Sequence, residues 1–176
     1  MTPEHSLQQA INESVRLEEY DRRWPTRFAR ERARLLRRFP DQFLAIEHFG
    51  STAVPGMRAK PIIDILAGVE SMAVAIALNQ TISQAGYTTL AEFNATLSDR
   101  QWFMKWSKGH RTHHLHVVEF DGDQWHRRLR FRDALRGDER LASDYSRLKE
   151  TLAQEHPDDR DAYTDGKADF VDAASV

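Results

Sequence analysis

Cysteine is absent from the 176 residues, which excludes both a disulfide framework and a cysteine-ligated zinc site. Neither sign of charge is in excess: 25 lysines and arginines stand against 27 aspartates and glutamates, for a formal net charge of -2. A chain so balanced lacks the broad positive field that draws proteins to DNA or to anionic membranes. No apolar run approaches the ~20 residues that span a bilayer. The opening MTPEHSLQQAINESV is too polar for a secretory signal. The expectation is a cytoplasmic protein with no membrane partner. No internal repeat or low-complexity segment is present. What is left is ordinary globular composition, 40% hydrophobic and 30% charged, at a length suited to one domain with a proper core.

Periodicity gives the order of elements. Leu7, Ile11 and Val15 recur at helical spacing and predict an N-terminal helical extension within residues 1–19. After YDRRWP, a second series runs Phe28, Leu35, Leu36 and Phe39, with Pro25 suited to a first helical turn and Pro40 ending the helix. Phe43–Phe49 reads as a strand, Gly50 to Gly56 as a loop, and Ile62–Val69 as a buried strand. A helix is expected from Ser71 or Met72 to Gly86, then strands over Tyr87–Ala91, Trp102–Trp106 and HHLHVVEF. From Asp123 the chain is helical again, with one apolar stripe at Leu141, Tyr145, Leu148 and Leu152 and another at Tyr163, Phe170 and Val171. Strands in the middle and helices at both ends predict a single α/β (α+β) domain over residues 1–176, built on a mixed sheet.

The stretch EHFGSTAVPGMRAKPIIDIL holds the chemistry. Asp64 is a single carboxylate inside a hydrophobic strand, and an unpaired buried carboxylate costs several kcal/mol. A lysine, a metal ion or a ligand's phosphates would meet it. Behind it, Gly50, Ser51 and Thr52 turn the chain at a strand end. Glycine permits close approach, and hydroxyls and free N–H groups there can cradle phosphate oxygens; an ordinary strand-end turn is the alternative.

A Gly-Ser turn after a strand, followed by an aspartate between Ile and Leu on the next strand, resembles the nucleotidyltransferase superfamily. Over a longer span YDRRWP, IEHFGSTAVPGMRAKPIIDIL, RTHHLHVVE, FRDALR, YSRLKETLA and DDRDAYTDGKADF resemble the GrpB family, assigned to the nucleotidyltransferase-like fold. The resemblance covers Tyr20 to Phe170. It implies a nucleotide or other anionic small molecule as ligand, and a divalent metal (Mg²⁺, Mn²⁺ or Zn²⁺) wherever the family's acids are in place. The chain departs from the superfamily there: the second acid of an Asp-X-Asp pattern is replaced by Leu66, on the same strand face as Asp64. On the later strand His114 and His116 share one face. With Asp64 they would form a two-histidine, one-carboxylate metal site with His116 beside the reacting centre; as sheet histidines they would instead hydrogen-bond to Asp64 or Glu47.

Lys60, four residues before Asp64, is expected to balance that carboxylate, to point at a phosphate, or to be solvated. Arg111 opens the histidine-rich strand and would serve the same anion. Arg128, Arg132 and Arg136 form an i, i+4, i+8 stripe, a solvated face in the ordinary case, with Arg132 the one chosen to reach inward. Lys167, between Tyr163 and Phe170, must snorkel or find a carboxylate. Three functions follow: nucleotidyl transfer through Asp64 and His116; a binding module for a nucleotide or similar anion; and RNA binding. Overall acidity and the lack of interleaved aromatics count against the last.

Overall fold

The computed structural model describes residues 2–176. Helix α1, Pro3–Ile11, is capped by the Thr2 hydroxyl. Val15 lies beyond its end as buried extended chain, its N–H bonded to the Pro157 carbonyl, so the expected helical stripe stops one turn short. Helix α2 spans Trp24–Arg38, with Pro25 in its first turn. Trp24, Phe28, Glu31, Leu35 and, just past the end, Phe39 recur at intervals of three and four and face inward, while most of the arginines between them face water.

Four strands form one mixed sheet. They are β1 (Ala45–Phe49), β2 (Ile63–Val69), β3 (Gln101–Ser107) and β4 (His110–Glu119), in the order β1-β2-β4-β3. β1 and β2 are antiparallel, β2 and β4 parallel, and β3 and β4 antiparallel. The β3–β4 connection is a two-residue turn in which Lys108 and Gly109 both have positive φ, the twist that suits a tight hairpin. The parallel β2–β4 pair requires a long crossover, which contains α3 (Met72–Ala77), α4 (Asn79–Gln84), α5 (Ala91–Ala95) and β3 itself. The single helix expected over this region is divided at Leu78, whose ψ of -8° opens the turn.

No strand forms over Tyr87–Ala91. Thr88 makes only a lone bridge to Met104, and Ala91 begins α5. Side chains occupy the β3 edge in its place. The Asn94 carbonyl oxygen accepts from Trp102 N–H at 2.8 Å, and the Asn94 amide and Thr89 hydroxyl donate to the Trp102 carbonyl at 3.0 and 2.6 Å. A fifth strand has no free backbone groups there to pair with.

Alternation separates the two sheet faces. Ile46, Ile63, Ile65, Ala67, Phe103, Leu115 and Val117 form the main core with α2, α3 and α4. On the other face Trp125 of α6 (Asp123–Gly137) covers Phe49, Leu66 and Val118. That cover leaves Asp64, His114, His116 and Trp102 open along the rest of the face. A further core joins Val54 and Met57, in the loop after β1, to Phe131, Leu135 and Tyr145 of α6 and α7 (Glu139–Glu155). Helices α8 (Arg160–Asp165) and α9 (Ala168–Ala174) follow, with Tyr163 buried against Val15 and Leu152. Among the described residues no helix is long and apolar enough to cross a membrane.

Candidate functional site

Strand register brings the Asp64 cluster together. Asp64 stands opposite Phe49 on β1 and His114 on β4, and His116 stands opposite Trp102 on β3. Asp64 Oδ1 lies 3.5 Å from His114 Nδ1 and 3.9 Å from His116 Nε2. Burial raises the Asp64 pKa, but the contact with His114 and the charges of His114, His116 and Lys60 outweigh it and hold the carboxyl at about 2. Burial drives both imidazoles the other way, His116 well below its ordinary value and His114 below it despite Asp64. At neutral pH the cluster is therefore an ionised carboxylate beside neutral imidazoles. His114 Nε2 and His116 Nδ1 are buried without a hydrogen-bond partner.

Gly50 closes the cluster from the β1 side. It has φ of +75°, and a Cβ there would lie 2.5 Å from Asp64 Oδ2. Glycine alone permits both the backbone conformation and the approach. Ser51–Ala53 then form one 3-10 turn. The amides of Ala53 and Val54 bond back to Gly50 and Ser51, while among the described residues those of Ser51 and Thr52 donate to no backbone carbonyl. The Thr52 hydroxyl is already taken by His48 Nε2, at 2.9 Å.

Around this floor lies a cavity of about 860 Å³, within the range of small-molecule sites. Eight cationic side chains line it: Lys60, Arg100, Arg111, Arg127, Arg128, Lys149, Arg160 and Lys167. Among the described residues three carboxylates do, from Asp64, Asp161 and Asp165, while Arg100, Arg127 and Arg160 pair with Asp99, Asp172 and Glu13 beside it. Lys60 and Lys167 stand 4.9 and 4.5 Å from the centre of the Tyr163 ring. Lys149 donates to the Arg58 carbonyl at 2.6 Å and lies 5.0 Å from the Tyr145 ring centre. Among the described residues none of the three lysines forms an ion pair with a carboxylate. Burial, with the charge of Lys167 next, brings Lys60 and Lys149 to about 7; burial brings Lys167 to about 8.

Of the residues singled out from sequence, Gly50, Ser51, Thr52, Lys60, Asp64, Arg111, His114 and His116 all line this one cavity. Arg111 does so while donating to the α1 carbonyls of Ala10 and Ile11, at 2.9 and 3.0 Å. Arg132 does not line it. Its guanidinium binds Glu47 at 2.8 Å and the His48 carbonyl at 3.0 Å, and its Nε binds Asp133 at 2.9 Å. The helix turns Arg128 toward the cavity instead, 5.4 Å from the Phe49 ring centre and with its Nε unpartnered. Asp64, His114 and His116 are adjacent, yet among the described residues no group of three or more His, Asp or Glu side chains is arranged to hold a metal ion. Sequence reasoning had no means of finding Arg100, Lys149 or Arg160, because nothing local distinguishes an inward cation from a solvated one.

Comparison with known proteins agrees with the motifs. The family model described as GrpB protein matches residues 14–175. The glutamate-rich protein GrpB of Alkalihalophilus pseudofirmus is 39% identical, covering 85% of this chain and 87% of its own. The UPF0157 protein YqkA of Bacillus subtilis is 37% identical over 88% of this chain, which spans 44% of that protein. The crystal structure of conserved protein GrpB from Enterococcus faecalis superposes with a TM-score of 0.80 at 37% identity, covering 91% of this chain and 94% of the other. The family match over residues 14–175, the identity to these relatives and the superposition of the fold make this chain a member of the GrpB family.

Proposed function

We infer that the cavity binds a nucleotide or another phosphate-bearing small molecule, held by lysine and arginine side chains. One observation carries this: among the described residues five basic side chains of one concavity, Lys60, Arg111, Arg128, Lys149 and Lys167, form no ion pair with a carboxylate, and the three lysines among them are desolvated. Desolvating ammonium groups beside one another is unfavourable, and a polyanion bound among them offsets that cost. The unpartnered Nε atoms of Arg100 and Arg128 and the free amides of Ser51 and Thr52 are further donors for phosphate oxygens. The turn-then-acid order on β1 and β2 is that of the nucleotidyltransferase-like fold, and it favours a nucleotide within this class.

A second reading, nucleotidyl transfer, draws on Asp64 alone. Two-metal chemistry needs carboxylates that clamp both ions. The same-face neighbour, Leu66, is instead fully buried against Phe49, Val118 and Trp125. We therefore assign the site to binding.

The test is a thermal-shift and calorimetry screen of nucleotides and inorganic polyphosphates, with EDTA and then with Mg²⁺, Mn²⁺ or Zn²⁺. A ligand at a hundred times its Kd stabilises by about 2.7 kcal/mol, which for a chain this size raises Tm by roughly 5–10 °C. A melt unmoved by every nucleotide and polyphosphate, with no heat of binding, would sink the assignment. Release of pyrophosphate from a bound triphosphate only with metal present would revive transfer.

A further inference from the structure

The cavity has a second kind of wall. Leu90 and Phe93 are 50% and 41% exposed, and the two stand together in the cavity wall beside Trp102 rather than scattered singly over the surface. Phe93 meets Trp102 edge-on, with ring centres 5.8 Å apart, and Trp102 in turn touches His114 at 5.2 Å between centres. Leu90 and the Phe93 ring offer a phosphate no donor, and on the Trp102 side the Arg111 guanidinium stands over the ring, 6.0 Å from its centre. The wall is also built rather than incidental. Asn94, next to Phe93 and buried, grips the Trp102 backbone by both its N–H and its carbonyl. This fixes the α5 segment to the β3 edge, so the aromatic surface exists before any ligand arrives.

Its place in the sheet completes the geometry. Trp102 lies on β3, one outer strand, opposite His116. Lys60 leads into β2, two strands from β3, and shares the Tyr163 ring with Lys167, while Lys149 of α7 lines the same cavity. The cavity therefore has an aromatic end on β3 and a lysine end that starts at the entrance to β2, with β4 and its His114 between the two strands.

Building on the anion-binding assignment, we propose that the ligand is a nucleoside diphosphate or triphosphate, whose base packs on Trp102 and Phe93 while its phosphates reach Lys60, Lys149 and Lys167. Base–aromatic stacking of this kind tolerates every base because each has a π face. A sugar phosphate or free polyphosphate would leave the aromatic end wet.

The experiment compares the four ribonucleoside triphosphates with inorganic tripolyphosphate by calorimetry, on the parent and on Trp102→Leu, Trp102→Phe and Phe93→Ala. In the parent at least one nucleotide binds tenfold or more tighter than tripolyphosphate. Trp102→Leu lowers nucleotide affinity by about 5- to 150-fold and leaves tripolyphosphate unchanged, while Trp102→Phe restores most of the loss. Phe93→Ala, on an exposed side chain, gives a smaller loss of the same selectivity and serves if Trp102→Leu does not fold. Nucleotides and tripolyphosphate binding the parent equally would overturn the aromatic end and leave the anion site standing, as would substitutions that weaken both alike. Absence of binding by all five anions would remove both.

Discussion

Gly50 and Asp64 are fitted to each other: a side chain on the first would overlap a carboxylate oxygen of the second. A Cβ at position 50 would stand 2.5 Å from Asp64 Oδ2, on a residue whose φ of +75° already disfavours any side chain. Gly50→Ala is therefore expected to destabilise the fold by about 3 kcal/mol, part backbone strain and part overlap. Asp64→Ala in the same chain removes the 2.5 Å overlap but neither the strain nor the 3.1 Å contact with the Cβ of residue 64. A double-mutant cycle by urea unfolding should thus show a coupling of about 1 kcal/mol or more. Additive effects would mean that the two residues do not touch.

Lysine titration sets the behaviour toward alkali. Lys60 and Lys149 are held at about 7 and Lys167 at about 8, against 10.5 when unfolded. Between those values the unfolded chain binds more protons than the folded one, so these groups make the ligand-free protein more stable as pH rises through that window. A bound polyanion favours the charged lysines and raises their pKa again. Binding at pH 8 should therefore take up protons, read as a dependence of calorimetric heat on the buffer's ionisation enthalpy. No proton uptake would show that the lysines are not the groups that meet the ligand.

Ser51 and Lys60 both line the cavity and act on the same anion in this assignment. The double variant Ser51→Ala, Lys60→Ala should lower affinity for a triphosphate roughly tenfold or more for each charge-assisted bond lost, at about 1.5–3 kcal/mol apiece. Binding to the parent should also weaken with added salt, and the dependence should be shallower in the variant. Equal affinity in parent and variant would make the Gly-Ser-Thr turn a turn and nothing more.

Acid sensitivity should come from histidines buried neutral. Burial lowers His48 and His113 to about 4, from 6.5 in the unfolded chain. Between these values the unfolded chain holds more protons, so stability falls as pH drops from about 6.5 to about 4. Asp64 does not contribute there, because its loss begins only below 3.8. Urea midpoints across this range should decline less steeply in His48→Gln than in the parent. Parallel slopes would mean that His48 ionises freely.

The opposite sheet face carries a control. Glu31, 6% exposed, accepts from Lys105 Nζ at 3.0 and 2.9 Å and from the Tyr87 hydroxyl at 2.8 Å. Lys105→Met removes the closer of the two cations at a buried carboxylate, leaving Arg34 at 3.3 Å, and should cost about 1–3 kcal/mol, with much of it recovered by adding Glu31→Gln. Neither variant should alter ligand affinity when measured well below its Tm. A change there would place the binding site on the wrong face.

Much of this protein was set by local sequence. Apolar spacing specified α2 and the later helices, and period-two alternation placed Asp64, His114 and His116 on one strand face each. The Gly50–Asp64 block carried the family. Local pattern failed where a distant group supplied the deciding bond. Tyr87–Ala91 has the composition of a strand, but Asn94 and Thr89 take the Trp102 backbone groups such a strand would need. Arg132 and Arg128 are equivalent along a helix, one turn apart; Glu47 on β1 and the His48 carbonyl capture the first, and packing against Phe49 turns the second inward. Lys149 and Lys167 look like surface lysines until α7, α8 and α9 fold over the sheet. A residue's periodicity states which side of its own element it occupies. Only the contacts between elements decide whether that side meets water, core or cavity, because burial and charge pairing depend on neighbours that are close in space and remote in the chain.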